Sequence, residues 1–328
     1  MKKISFLIIL LIFVSVSCNN NKEKKYISVS NKALGTFYNI TYLDENQKNL
    51  QSEIDSLLDK FNMSLSAYNP NSIISKINQN IDVDIDEYFE KVFLKAKYFY
   101  EITDGAFDIS ASSLFSAWGF GFGNKEKITP QLIDSLKQFV GMEKINLVDG
   151  KIIKSDNRVN INANALAKGY AVDVVADFLI SQGIKNFLVE IGGEIVAAGK
   201  NKNNEKWKIG IDKPFDGNLN PGENIIHTIE LTNKAIATSG NYRQFYTENG
   251  KKYSHTIDPK TGYPVQHSLL SATVIAADCM SADAVATSIM VMGIENAKKF
   301  IAKHPEYQVY LIYEENGEHK EYNNIDNN

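Results

Sequence analysis

The chain has 328 residues, 44% hydrophobic and 23% charged, which suits a globular protein with a substantial core and excludes a disordered or fibrous one. Its formal net charge is −4, so nothing in its composition points to nucleic acid, and no nucleic-acid partner is expected.

The first eighteen residues, MKKISFLIILLIFVSVSC, place Lys2 and Lys3 before an apolar run from Ile4 to Val16 that is too short to span a bilayer comfortably. Residues 1–17 therefore read as a secretion signal. Small residues before Cys18 and the polar NNNKEKK after it look like a bacterial lipoprotein processing site, with Cys18 the acylated N-terminus; Ser15 departs mildly from the usual leucine, and ordinary signal cleavage is the plainer alternative. Only Cys279 is then left, so no intramolecular disulfide is expected. Residues 18–25 read as a lipidated tether. No linker, repeat or low-complexity block divides 26–328, which reads as one domain.

In chain order, ALGTFYNITYL reads as a strand and QSEIDSLLDKFNM as a helix. DEYFEKVFLKAKYFYEIT puts Phe89, Val92, Phe93, Ala96 and Phe99 on one helical face that Asp104-Gly105 ends, and those apolar groups read as core. INLVDGKIIKS is a hairpin around Asp149-Gly150. A helix begins near Ala167 and closes at Gly183, and NFLVEIGGEIVAAG follows as strand, glycine pair and strand. FYTENGKKYSHTI reads as a hairpin around Asn249-Gly250, which places His255 near the end of its second strand, before a turn built on Asp258-Pro259 and Gly262. CMSADAVATSIMVMG reads as a helix with Ser281 as its N-cap. Hairpins joined to segregated helices predict an α+β fold with mixed or mostly antiparallel sheets.

Four polar constellations stand out, each with a plain alternative. Asp108 in TDGAFDIS is a strand-edge cap or a ligand contact. In NINANALAKGYAVD, Asn162 and Asn164 either cap the helix they lead into or bond a polar ligand, its N-terminal end suits an anion, and Lys168, a cation that the macrodipole disfavours, points to an anionic partner or is accommodated by solvent. The glycine pair of EIGGE permits close backbone approach. Asp283 and Thr287 share a helix face, either complementing the helix itself or supplying hard oxygens for Mg²⁺. His255 alone is a half-buried surface histidine or a reactive group shown at a strand end.

Taken in order, these stretches resemble the FAD:protein FMN transferases, the ApbE family of bacterial lipoproteins. The matches are LGT at 34–36, LSAYNPNSIISKIN at 65–78, TDGAFDIS at 103–110, ALAKGYAVD at 165–173, EIGGE at 190–194, ATSGNY at 237–242, HTIDPKTGYPV at 255–265 and SADAVAT at 281–287. Each is weak alone, but the ordered set is specific and spans nearly the whole chain after the signal.

The resemblance implies an enzyme that splits FAD at its pyrophosphate and attaches FMN through a phosphoester to a threonine of another flavoprotein, releasing AMP. It implies Mg²⁺ held by Asp283, Thr287 and the main-chain oxygen of Ala165, and FAD contacts from Leu34, Tyr68, Ala106-Phe107-Asp108, Asn162, Lys168 and Ile257, with Tyr68 and Phe107 against the flat rings. His255 becomes the acid/base residue. Leu34 stands where the family often has Met, and Asn162 where it often has Asp. Acceptors carry a D-x-x-[ST]-[AG]-T motif, as in subunits of membrane redox pumps; the chain itself has no such hexapeptide. The implied location is the periplasmic side of the cell envelope, at the inner membrane, through the lipid on Cys18. An FAD pyrophosphatase of the same fold and a non-catalytic flavin-binding lipoprotein are the rival readings.

Overall fold

The computed structural model describes residues 25–121, 125–215, 218, 222–242, 245–248 and 250–325. The expected signal 1–17, the lipidation site Cys18, most of the 18–25 tether and Asn249 lie outside the described residues.

β1 (Ile27–Ala33) and β2 (Thr36–Tyr42) form a hairpin whose turn residues, Leu34 and Gly35, have φ of 52° and 75°. Positive φ at both positions matches the right-handed strand twist. The single strand expected over ALGTFYNITYL is therefore two strand ends and a turn, with Leu34 in that turn. α1 (Gln51–Leu65) and α2 (Ile73–Asn78) follow, then α3 (Glu87–Ile102), whose N-cap Asp86 accepts a hydrogen bond from the Phe89 N–H at 2.9 Å. Phe89, Val92, Phe93, Ala96 and Phe99 of α3 are buried, as their spacing predicts, and Asp104-Gly105 (φ 51° and 75°) ends the run. α4 (Ser112–Ala117) and α5 (Pro130–Lys137) form a small lobe; Thr129 caps α5 and proline takes its first turn, where a missing N–H costs nothing.

β3 (Ile145–Val148) and β4 (Lys151–Lys154) make the expected hairpin through Asp149-Gly150. α6 (Asn164–Ser181) begins three residues before the expected Ala167 and ends where Gly183, with φ 79°, takes the left-handed position. It is apolar around most of its circumference, the pattern of a buried central helix. The remaining elements are β5 (Phe187–Ile191), β6 (Glu194–Ala198), β7 (Trp207–Asp212), β8 (Ile225–Leu231), β9 (Lys234–Gly240), β10 (Phe245–Glu248), β11 (Lys251–Ser254), β12 (Leu269–Ala276), α7 (Cys279–Lys303), β13 (Gln308–Glu315) and β14 (Glu318–Asn323).

Eight strands form one sheet in the order β1-β2-β5-β6-β9-β12-β13-β14, and every adjacent pair is antiparallel. Period-2 alternation sorts the side chains: Ala235, Ala237, Ala272 and Val274 face the helical core, while Ile236 and Ile275 point to the other side. There the β7–β8 ribbon covers them with Trp207, Ile209, Ile211, Ile229 and Leu231. A third cluster joins Ala111, Leu114, Trp118 and Ile133 of the α4–α5 lobe to Ile257. The fold is α+β, with α6 and α7 packed side by side on the sheet.

Candidate functional site

The α6–α7 contact is close because Gly169 has no side chain. A Cβ at that position would lie 2.3 Å from the Cys279 carbonyl oxygen and 2.8 Å from the Asp283 Cβ. The Gly169 N–H donates to Asp283 Oδ2 at 3.0 Å, which fixes the carboxylate against α6. One turn further along α7, Thr287 Oγ1 lies 3.5 Å from the Ala165 carbonyl oxygen and 3.4 Å from Ser239 Oγ at the end of β9. Asp283, Thr287 and Ala165, expected to act together, are thus brought together with Ser239.

The start of α7 differs from expectation. Its N-cap is Asp278, whose side chain accepts from the Ser281 N–H at 2.7 Å, so Ser281 lies inside the helix and Asp283 falls in the second turn, not at its second residue. A carboxylate is an effective cap, and its charge also complements the helix N-terminus. Asp173 of α6 takes the Cys279 and Met280 N–H groups, both at 2.8 Å, satisfying two donors that the helix leaves unpaired. Burial pushes the Asp173 carboxyl up to about 7, against those two bonds. Cys279 is free and buried.

Lys168 is on α6 one turn before Val172, and its ammonium is paired with Glu194 at the start of β6. The cation that looked misplaced in sequence therefore has an internal partner. Burial draws the lysine pKa down, but the charges of Glu194 and Asp283 outweigh this and leave it above the ordinary lysine value. Asp283 is pushed up to about 7, by burial first, with Glu194 adding to the rise and Lys168 opposing it.

The TDGAFDIS segment packs below this site. Asp108 Oδ1 accepts from the Ser110 N–H at 2.8 Å and the Ser110 hydroxyl at 2.6 Å, and burial raises its carboxyl to about 6. Ala106 is buried, and the Phe107 ring, 1% exposed, lies in the core 5.9 Å from that of Phe99. The Phe107 ring, expected against the flat rings of a ligand, packs in the core beside Phe99. The Asn162 N–H donates to Ile109 O at 2.8 Å and its side chain accepts from the Asn164 N–H at 2.9 Å, so Asn162 ties this segment to the start of α6.

Tyr68 is 69% exposed on the loop before α2, the surface position expected of a stacking ring. Beside that loop is a cavity of about 370 Å³ lined by Ala67, Ser75, Asn78, Ser112, Ser116 and Asn160. The β1–β2 hairpin that carries Leu34 meets the β5–β6 turn where the Gly192 N–H donates to Phe37 O at 3.0 Å. His255 leaves β11 into a bend, half-buried, with the Phe120 ring edge-on at 6.3 Å. Ile257 is 1% exposed within the third cluster. The 255–264 segment is pinned to the lobe by the Trp118 indole N–H on Gly262 O at 2.9 Å, and to the end of α3 by the Lys260–Asp104 ion pair. Sequence reasoning missed Asp173, Asp278, Ser239 and Glu194 as parts of this region; Asp173, Ser239 and Glu194 lie within the quoted motifs and Asp278 just before one, which was the available signal.

A helix pair that crosses at a glycine thus gathers a carboxylate, a hydroxyl and a carbonyl beside a paired lysine in an α+β protein. Among the described residues no group of three or more His, Cys, Asp or Glu is placed to hold a metal ion. The sequence model of the ApbE family matches residues 34–311, and the chain belongs to that family. It is 38% identical over 307 residues to the FAD:protein FMN transferase of Haemophilus influenzae, spanning 89% of this chain and 87% of that protein. With the FAD:protein FMN transferase of Vibrio cholerae it shares 35% identity over 310 residues, or 92% and 91% of the two chains. The solved flavin transferase ApbE from Vibrio cholerae superposes with a TM-score of 0.82 at 34% identity, covering 92% of this chain and 97% of that one. The ApbE protein from Thermotoga maritima gives 0.80 at 28% identity, covering 90% and 96%.

Proposed function

We propose that this chain is a Mg²⁺-dependent FAD:protein FMN transferase that moves FMN from FAD to a threonine of an acceptor flavoprotein and releases AMP. One observation supports it above the others: the Thr287 hydroxyl and Ala165 carbonyl at 3.5 Å, with Asp283 on the same face of α7 and Lys168 beside it. That donor set is all oxygen with one carboxylate, which suits Mg²⁺ and not a thiophilic metal. When bound there, the ion would neutralise pyrophosphate charge that otherwise repels an incoming hydroxyl.

The protein's own groups divide the remaining work. Lys168 faces the pyrophosphate as a fixed positive charge. Tyr68, Leu34 and the main chain of Ala106-Phe107-Asp108 and of Ile257 bind and orient the dinucleotide, and Asn162 links the Ala106-Phe107-Asp108 segment to α6. His255 takes the proton from the acceptor threonine as its oxygen forms a bond to the FMN-side phosphorus. The bond from that phosphorus to the AMP-side oxygen breaks, and AMP leaves with the electron pair. An ordinary imidazole titrates near about 6.5, where it can accept a proton at neutral pH.

The acceptor motif D-x-x-[ST]-[AG]-T, the lipid on Cys18 and a periplasmic, membrane-attached location complete this reading, and they rest on the sequence. Among the described residues no helix is long and apolar enough to cross a membrane.

The test is to incubate the protein with FAD, Mg²⁺ and an acceptor bearing the motif, and to weigh both proteins. The acceptor gains the mass of an FMN residue, and an acceptor with that threonine changed to alanine gains nothing. FAD consumed to FMN and AMP with no mass gain would replace transfer by hydrolysis. FAD left intact would remove the enzymatic reading.

A further inference from the structure

The turn of EIGGE is framed by two glutamates in unlike surroundings. Glu190 accepts from the Gly193 N–H and from Asn39 Nδ2, both at 2.7 Å, so it braces the turn. Gly192 and Gly193 have φ of 64° and 105°, which carry the chain over to β6. At its first residue Glu194 is 3% exposed: Oε1 meets the Lys168 ammonium, and Oε2, also buried, has no hydrogen-bond partner. A buried ion pair stabilises a fold only when its remaining lone pairs are satisfied, and this one leaves an acceptor empty. The arrangement is poor as a structural bridge, so a role in the site accounts for it better.

We propose that Glu194 is a positioning residue for FAD binding, anchoring the Lys168 ammonium so that it meets the pyrophosphate already fixed in place. This rests on the reading above that Lys168 faces FAD. A free lysine has four flexible carbons to immobilise when it grips a ligand, and a partner that holds it beforehand removes that cost from the binding step. Overall charge predicts the opposite sign, because removing a carboxylate near an anion should tighten binding.

The test compares FAD with riboflavin, which has the ring system and no pyrophosphate, by flavin fluorescence titration. Wild type, Glu194→Gln, Lys168→Met and the double variant are each measured with a thermal melt. Glu194→Gln should weaken FAD about tenfold and leave riboflavin within about twofold, and it should add nothing once Lys168 is Met. The double variant should melt above Lys168→Met, which leaves Glu194 without its counter-charge. Tighter FAD binding by Glu194→Gln, or equal losses for both ligands, would overturn the proposal. Unchanged FAD affinity in Lys168→Met would instead overturn the reading of Lys168 and the proposal with it. If Glu194→Gln does not fold, Glu194→Asp, which keeps the charge but retracts it by one methylene, should show a smaller loss confined to FAD, and equal losses there would count against the proposal.

Discussion

His255 sits where β11 gives way to a bend, with the Phe120 ring against it and the next residues held by Trp118 and Lys260. A base so placed should matter to the rate more than to binding. His255→Ala is expected to lower kcat roughly 10²- to 10⁴-fold, with FAD affinity changed far less and the acid limb of the rate profile lost. Steady-state kinetics across pH check this, and a variant that keeps both kcat and limb would shift the base role elsewhere. Asp283→Ala should abolish transfer while the protein still melts cooperatively, because on the proposed reading a metal ligand is lost and little core volume with it. Transfer at the wild-type rate in limiting Mg²⁺ would contradict that role. At this scale the sequence was informative about Asp283, Thr287 and Ala165, whose spacing on two helices survives folding. It was silent on Glu194, whose partner lies on α6 and is met only through the β5–β6 hairpin.

Two elements, α6 and α7, decide how close Ala165, Asp283 and Thr287 stand, and Gly169 sets the distance between them. Gly169→Ala should force them apart and cost about 1–3 kcal/mol of stability, with transfer lost more severely than the melting temperature suggests. A melt and an assay on the same sample separate the two effects; an unchanged melt would show that the crossing is looser than the 2.3 Å approach implies. Most elements were legible from periodicity and turn residues, as the buried face of α3 and the Asp149-Gly150 hairpin show. Boundaries were harder where two residues compete for one job. Ser281 and Asp278 can both cap α7, and only the packing against Asp173 selects the earlier one. The Leu34 turn was missed because a leucine with positive φ has no compositional signal; Gly35 beside it was the sole hint.

Among the described residues, four carboxyls are held above their ordinary range by burial: Asp108 to about 6, Asp173 and Asp283 to about 7, and Glu194. The folded state thus keeps protons that the unfolded chain, with carboxyls near about 4, has released. Stability of the metal-free protein should fall as pH rises from about 4 to about 7 and level off above. In chelator, the melting temperature near pH 5 should exceed that near pH 8 by on the order of 5 °C, and Asp173→Asn should flatten the slope. Added Mg²⁺ should restore part of the loss at the higher pH, where Asp283 is charged. A melting temperature that climbs over this range would contradict the burial argument.

The sheet order also says when the domain can close. β2 lies between β1, its sequence neighbour, and β5, which is made only after α1 through α6; Tyr42 pairs with Phe187. Long-range pairing of this kind is slow, since a large loop must be closed before the contact repays it. The N-terminal hairpin therefore has one side open while most of the chain is still being synthesised, and the sheet cannot seal ahead of time. In pulsed hydrogen exchange during refolding, the β2 amides that face β5 should gain protection together with those of β5 and after those of α6, because a folded N-terminal third is not a state this topology allows.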